Sequence, residues 1–242
     1  MEELEGRKAL VTGASGGIGR SIVAKLRDKG VVVAGTDMSA CEADHSLPGD
    51  LTDPGFCDDL PGLASDVMGG LDILINNAGI ITRGRITETT DQDFRRTMAI
   101  NVEAPFRLCR AAIPIMAERR GGAIVNTSSC WGVHPGPDHP LYVMSKAAIA
   151  SLTQCLGMDH AHQKIRVNAV CPNEVNTAMI RTGFATRGLD PDRAIEDLNA
   201  SVPLGRIAEP DDIADVALFL VSDQARYVCG ALLEVNGGKP VR

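Results

Sequence analysis

The sequence predicts a single α/β domain, a doubly wound parallel sheet with helices on both faces. Three observations predict it. The chain has 242 residues, within the size of one α/β unit, and no linker, repeat or low-complexity stretch divides residues 1–242. Apolar runs of strand length alternate with segments of helical period. The strand runs are continuously apolar, the pattern of strands buried between two helix layers. Hydrophobic residues make up 44% and charged residues 23%, as in an ordinary folded protein. With only 3% aromatic residues, Val, Ile, Leu and Ala must fill the core.

The elements follow in order. Lys8–Thr12 is a short apolar run ending in glycines and reads as a buried strand. Ile18, Ile22, Val23 and Leu26 give residues 18–29 a helical face, which Gly30 stops. Val31–Thr36 is a second strand. Residues 39–53 are irregular, with a barely visible third strand. Leu71–Asn76 is the next strand, and 91–119 is one long helix or two joined ones. Pro105 and Pro114 each remove a helix donor there, which predicts a break or kink. Gly122–Thr127 is a strand, 141–162 a helix, 165–170 a strand, 211–221 a helix and 231–235 the last strand. The stretch from about 176 to 210, with Gly183, Gly188, Pro191, Pro203 and Pro210, interrupts the alternation. A long irregular insertion of this kind is read as a substrate lid, with a surface helical hairpin as the plainer alternative.

Several function classes are excluded by composition. The formal charge is −7, from 31 acidic and 24 basic residues. The densest basic clusters are pairs, Arg95-Arg96 and Arg119-Arg120, so no stripe exists for a phosphate backbone. Few aromatic platforms exist for stacking bases. Nucleic acid is therefore not an expected partner. The seven cysteines form no Cys-x-x-Cys pair, which argues against a disulfide framework or a zinc site, and no metal is expected. The N-terminus is acidic without an apolar signal core, and no run is long enough to span a membrane. A reducing cytoplasm is the expected location.

Between the first strand and helix lies Thr12-Gly13-Ala14-Ser15-Gly16-Gly17-Ile18-Gly19. Glycines let the chain turn tightly and let a pyrophosphate approach, while the following helix N-terminus offers free amides. The spacing differs from G-x-G-x-x-G, so the turn alone identifies nothing. Asp37, ending the second strand, adds a carboxylate able to accept both ribose hydroxyls of an adenosine and to repel a 2′-phosphate. No Lys or Arg follows it closely. Together these features point to NAD rather than NADP.

The glycine turn, Asn76-Asn77-Ala78-Gly79, Asn101, Ser129 and Tyr142-Val143-Met144-Ser145-Lys146, in that order, resemble the motif set of the classical short-chain dehydrogenase/reductase family. The resemblance runs from about residue 5 to 238. It implies a Rossmann-like sheet of about seven strands, a nicotinamide cofactor, and interconversion of alcohols and carbonyls. It further implies that Gly13, Ser15, Gly17, Ile18 and Gly19 hold the cofactor phosphates. Asp50-Leu51 would contact adenine, and Asn77-Ala78-Gly79 would run along the adenosine ribose. Pro172, Val175 and Thr177 would hold the nicotinamide carboxamide. The family usually has Gly after Pro172; here Asn173-Glu174 stands instead.

Tyr142 and Lys146, four apart on a helix, share one face. A free phenol titrates near about 10, and a neighbouring ammonium lowers that value, making the Tyr usable for proton transfer. The hydroxyl of Ser129, just after a strand, can hydrogen-bond the substrate oxygen. Its neighbour Ser128 is the competitor, expected to bond backbone instead. By the resemblance, Asn101 sits in a local helix break and orders a water touching Lys146, and the ammonium also reaches the cofactor ribose.

Substrate choice belongs to three loops, 81–85, 130–141 and the stretch after Pro172. Their polar candidates are Arg83, His134, His139, Glu174, Asn176 and Arg181, with Trp131. Glu174 suits several hydroxyls or a cation; its alternative role is an ion pair to Arg181 or Arg187 that pins the lid. The set favours a small polyol, sugar or sugar acid. A 3-oxoacyl-[carrier protein] reductase is the alternative, against which Asp37 stands, because such biosynthetic reductases generally use NADPH. A non-catalytic dinucleotide-binding regulator typically loses the Tyr or the Lys, and this chain keeps both. A homo-oligomer, tetramer or else dimer, is expected from the resemblance and from the helices at 91–119 and 141–162. Leu108, Ile113, Ile115 and Met116 serve the core there, while Ala147, Ala148, Ala150 and Ser151 permit close approach of a second helix.

Overall fold

A strand leaves its backbone donors and acceptors unpaired along both edges, so the apolar runs satisfy them by pairing with one another. The computed structural model describes residues 4–239. Its strands are β1 (Lys8–Thr12), β2 (Val32–Thr36), β3 (His45–Ser46), β4 (Ile73–Asn76), β5 (Gly122–Thr127), β6 (Ile165–Pro172) and β7 (Leu232–Val235). They form one parallel sheet in the order β3-β2-β1-β4-β5-β6-β7. Its helices are α1 (Gly17–Arg27), α2 (Pro54–Met68), α3 (Asp91–Met98), α4 (Ala104–Ala117), α5 (Cys130–Val133), α6 (Pro140–His160), α7 (Ala178–Ala185), α8 (Pro191–Ser201) and α9 (Pro210–Val221). This is the expected Rossmann-like doubly wound fold.

Successive strand side chains point to opposite faces. Ala9, Val11, Ile73 and Ile75 pack with Ile22 and Leu26 of α1 and with Ile213 and Leu220 of α9. Leu10, Leu74 and Ile124 face the other layer, against Leu60 and Ala64 of α2 and Leu108, Ala112 and Met116 of α4. Both faces are therefore buried, which explains the unbroken apolar strands.

α2 is the element that pattern reading does not find. Pro54, Gly55, Pro61 and Gly62 all argue against a helix there. Local chemistry overrides them. Asp53 accepts the Gly55 N–H at 2.9 Å, Pro54 occupies the first turn, where its missing donor costs nothing, and Gly69 at φ 72° ends the helix. The stripe Cys57, Leu60, Ala64 and Met68 is buried, and that burial favours the helix.

The two prolines of 91–119 behave differently. Pro105 has no N–H for the carbonyl of Asn101, and the chain widens into a π-helical turn over Ala99–Glu103. Pro114, expected to disturb the helix as well, lies inside α4, which continues to Ala117. The buried Ile113 and Met116 on either side of it keep the helix against the sheet.

The insertion at 176–210 holds α7 and α8, which share a small core of Phe184, Ile195, Val202 and Ile207. Among the described residues, no helix is long and apolar enough to cross a membrane.

Candidate active site

Strand order reverses between β1 and β4, opening a crevice at their carboxyl ends. The residues just beyond both strands are locked together there. Thr12 Oγ1 accepts the N–H groups of Asn77 and Ala78, each at 3.0 Å, and the Asn77 amide donates to Thr12 O at 3.1 Å and Gly13 O at 3.2 Å. Asn76 continues the brace inward. It donates to Asn126 at 2.8 Å, and Asn126 donates to Thr153 at 2.9 Å.

A cleft of about 1100 Å³ opens above this junction. Gly13, Gly17, Ile18 and Gly19 line its floor, Asp37, Asp50 and Leu51 one wall, and Asn77, Ala78, Gly79 and Thr177 another. Of the residues expected to hold a cofactor, Ser15, Tyr142, Lys146, Pro172 and Val175 do not line it. Val175 is buried in the core beneath α1 and α9. The cleft also takes in Met38, Gln92, Arg95 and Arg96. The pattern reading misses these because α3 reaches the cleft only through the tertiary packing.

The cleft is shaped for a dinucleotide. A Cβ at Gly13, where φ is 64°, would lie 2.9 Å from Ala78 Cα, and one at Gly19 would collide with the Gly13 carbonyl. Only bare backbone allows the turn to close and α1 to aim its free amides into the space. Within the glycine turn the Ser15 hydroxyl is buried without a partner, a polar atom that a phosphate oxygen would satisfy if it reached the turn. Asp37 accepts the N–H groups of Ser15 at 3.0 Å and Met38 at 2.8 Å, which fixes its carboxylate beside the glycine turn.

At the far end, Ser129 caps α5, accepting the Trp131 N–H at 3.1 Å. Tyr142 and Lys146 lie one turn apart on α6. The Lys146 ammonium is 5.9 Å from the centre of the Tyr142 ring and donates to Thr127 O at 2.8 Å. Ser128 instead donates to Lys146 O at 2.8 Å. Asn101, in the π-turn, accepts from Ile80 N and donates to Ile80 O, both at 2.9 Å, and donates to Ser145 at 3.0 Å. A Cβ at Gly79 would lie 3.2 Å from Lys146 Nζ and 3.4 Å from Asn101 Oδ1. That position is left bare where the lysine and asparagine approach each other.

A family model described as enoyl-(acyl carrier protein) reductase matches residues 13–239. The chain belongs to the short-chain dehydrogenase/reductase family. It is 34% identical to a 3alpha-hydroxysteroid dehydrogenase of Mediterraneibacter gnavus, over 97% of each chain. It is 32% identical to a 3-oxoacyl-[acyl-carrier-protein] reductase of Thermotoga maritima, over 97% of this chain and 98% of the relative. Among solved structures, the ligand-free aldohexose dehydrogenase of Thermoplasma acidophilum superposes with a TM-score of 0.94 at 31% identity, covering 100% of this chain and 96% of that one. This short-chain dehydrogenase/reductase is thus an oxidoreductase acting on CH–OH groups with a nicotinamide dinucleotide.

Burial governs the titration of Tyr142 and Lys146. Desolvation pushes the Tyr142 phenol above its ordinary value, against a hydrogen bond from Ser129 and the charge of Arg83. The Lys146 ammonium, directed at Thr127 O, does not lower the phenol as expected. Lys146 itself is pushed down to about 8 by burial.

Four of the substrate candidates of this short-chain dehydrogenase/reductase, His134, Glu174, Asn176 and Arg181, are already engaged by other side chains. His134 meets Glu234 of β7 at 3.2 Å. Glu174 holds Lys239 at 2.6 Å, and Lys239 also donates to Ser201 at 3.0 Å. Neither of the lid pairs expected for Glu174 forms. Arg181 pairs with Asp192 at 2.7 Å, and Arg187 donates to Gly183 O at 2.9 Å. Glu174 therefore ties the C-terminal segment to the end of α8, and its carboxylate would meet substrate hydroxyls only if that tie opened. Lys239→Met should release this tie. Amide exchange at residues 201–207 should quicken about fivefold, the equivalent of ~1 kcal/mol of local stability. Unchanged exchange there would show that the ion pair does not hold the lid.

Proposed function

We propose that this protein is an NAD-dependent oxidoreductase that interconverts a secondary alcohol and a ketone, on a polyol, sugar or sugar-acid substrate. Asp37 carries the cofactor reading. Its carboxylate is fixed by two backbone amides at the ribose end of the cleft, where it accepts hydroxyls and repels a 2′-phosphate. When bound, NAD supplies the hydride acceptor. Tyr142 exchanges the proton of the substrate oxygen, and Ser129 donates a hydrogen bond to that oxygen as charge develops. Lys146 holds the ribose and favours the phenolate. Asn101 positions Lys146 from the π-turn. Thr177, which lines the cleft, orients the nicotinamide end.

Asp37→Ala tests the cofactor reading. NAD should bind about tenfold more weakly, a loss of ~1.4 kcal/mol for the ribose hydrogen bonds, while the preference for NAD over NADP shrinks. Steady-state kinetics with both cofactors measures this. Wild-type turnover with NADP equal to or better than with NAD would reject the assignment.

A carrier-linked 3-oxoacyl reductase using NADPH is the second reading. It draws on the Thermotoga relative and on Arg95 and Arg96, which line the cleft. Arg95 is partly committed to Asp91 at 3.4 Å, and Arg96 faces the carboxylates of Asp50 and Asp93, so the first reading stands ahead of it. Exposed Phe94, Phe106, Met144 and Met158 on α3, α4 and α6 support a homo-oligomer, a tetramer or else a dimer. Seven unpaired cysteines support a reducing cytoplasmic location.

A further inference from the structure

Arg83 and Arg187 come from different parts of the chain and meet at Gly183. Arg83 lies in the loop after β4. Its guanidinium occupies the space beside Gly183, where any Cβ would collide with it, and it donates to Met179 O at 3.5 Å. Arg187, just past α7 in the lid, donates to Gly183 O at 2.9 Å, and its guanidinium lies 5.0 Å from the centre of the Phe184 ring. Met179, the residue that Arg83 touches, lines the cofactor cleft.

Two like charges brought to one glycine repel each other. The neighbouring Arg187 charge, after burial, pushes the Arg83 guanidinium below its ordinary value. Carboxylates neutralise several arginines nearby, as Asp192 does Arg181 and Asp212 does Arg206. Among the described residues, neither Arg83 nor Arg187 has an ion-pair partner. Glu174, a carboxylate placed near the site by sequence, is occupied by Lys239 at 2.6 Å. Arg83 also lies close enough to Tyr142 for its charge to act on the phenol. The pair therefore presents uncompensated guanidinium donors a short distance from the reacting oxygen.

We propose that Arg83 and Arg187 form the recognition site for an anionic group of the substrate, a carboxylate or a phosphate, carried beside the alcohol that Tyr142 serves. The proposal rests on the oxidoreductase reading and narrows it from neutral polyols to hydroxy acids, sugar acids or sugar phosphates. An anion between the two guanidiniums accepts charge-assisted hydrogen bonds from both and removes their repulsion. Because Arg83 belongs to the β4 loop and Arg187 to the lid, the same anion draws the lid toward the cleft.

The test has two arms. In the first, malonate and inorganic phosphate are titrated calorimetrically into the NADH-loaded protein, and the tighter of the two identifies the anion. Arg83→Gln and Arg187→Gln should each weaken binding tenfold or more, and Arg83→Lys, which keeps the charge, should recover part of the loss. In the second, kcat/KM is compared for matched substrates, D-gluconate against D-glucitol and 3-hydroxybutyrate against 2-butanol. The wild type should prefer the acid, and the acid-to-neutral ratio should fall tenfold or more in either Gln variant. Thermal melts confirm that the variants fold. Failure of the wild type to bind either anion, or binding that the Gln variants leave intact, overturns the anion site. A wild type that binds the anions but oxidises no alcohol with NAD or NADP instead overturns the oxidoreductase reading.

Discussion

Tyr142→Phe should lower kcat by about 10²–10⁴-fold while the fold and dinucleotide binding persist. The substitution removes one hydroxyl and keeps the ring, which contributes packing: Tyr142 meets Trp131 edge-on at 6.4 Å, and Trp131 in turn packs on His139 at 4.8 Å. In the proposed mechanism the lost hydroxyl is the group that exchanges a proton with the substrate oxygen. An aliphatic hydroxyl such as that of Ser129 is a far weaker acid than a phenol, and Lys146 is turned to Thr127 O, so neither takes its place. The loss should therefore fall on kcat, with fluorescence titration of NADH near wild type. Near-normal kcat in this variant would defeat the proton-transfer assignment.

Lys146→Met should abolish turnover and, at neutral pH, stabilise the protein. Lys146 is 5% exposed, and burial pushes its pKa from 10.5 to about 8. The unfolded chain therefore holds the proton more tightly than the native one. Below pH 8 the native state carries the full cost of the buried ammonium, at most ~3 kcal/mol at 1.36 kcal/mol per pH unit. The cost fades as pH rises from 8 to 10.5, where the native lysine is already neutral and the unfolded one is losing its proton. Methionine removes that cost but leaves Thr127 O without its donor, at about 1–2 kcal/mol. The net expectation at pH 7 is a gain of roughly 1–2 kcal/mol, shrinking to nothing or reversing near pH 10.5. Urea unfolding at pH 7 and pH 10 reads both values. A variant less stable than wild type by the same margin at both would show that the ammonium is not stored at a cost. In parallel, dinucleotide binding should weaken if the ammonium reaches the ribose as proposed.

The strands were legible because a sheet covered on both faces requires unbroken apolar runs, and Ile73–Asn76 or Gly122–Thr127 leave no other reading. α2 was hidden because its evidence is a cap, a proline tolerated in the first turn and a stripe that matters only once the sheet exists to bury it. Pro105 and Pro114 show the same limit. Both lack a donor, yet only Pro105 opens the helix into a π-turn, while α4 runs through Pro114 with Ile113 and Met116 buried on either side.

For the site, local spacing determined a great deal. Tyr142 and Lys146 share a helix face by period alone, the glycines after β1 foretell a turn that bare backbone must make, and Asp37 is placed by the end of its strand. What spacing cannot determine is which charged groups are already satisfied, because ion pairs form between segments far apart in sequence. Glu174 had Arg181 and Arg187 as partners on sequence grounds, and its partner in space is Lys239. Arg83, a substrate candidate by sequence, and Arg187, offered there only as a partner for Glu174, meet at Gly183. Charge neutralisation depends on distance in space, and only the tertiary structure supplies that distance.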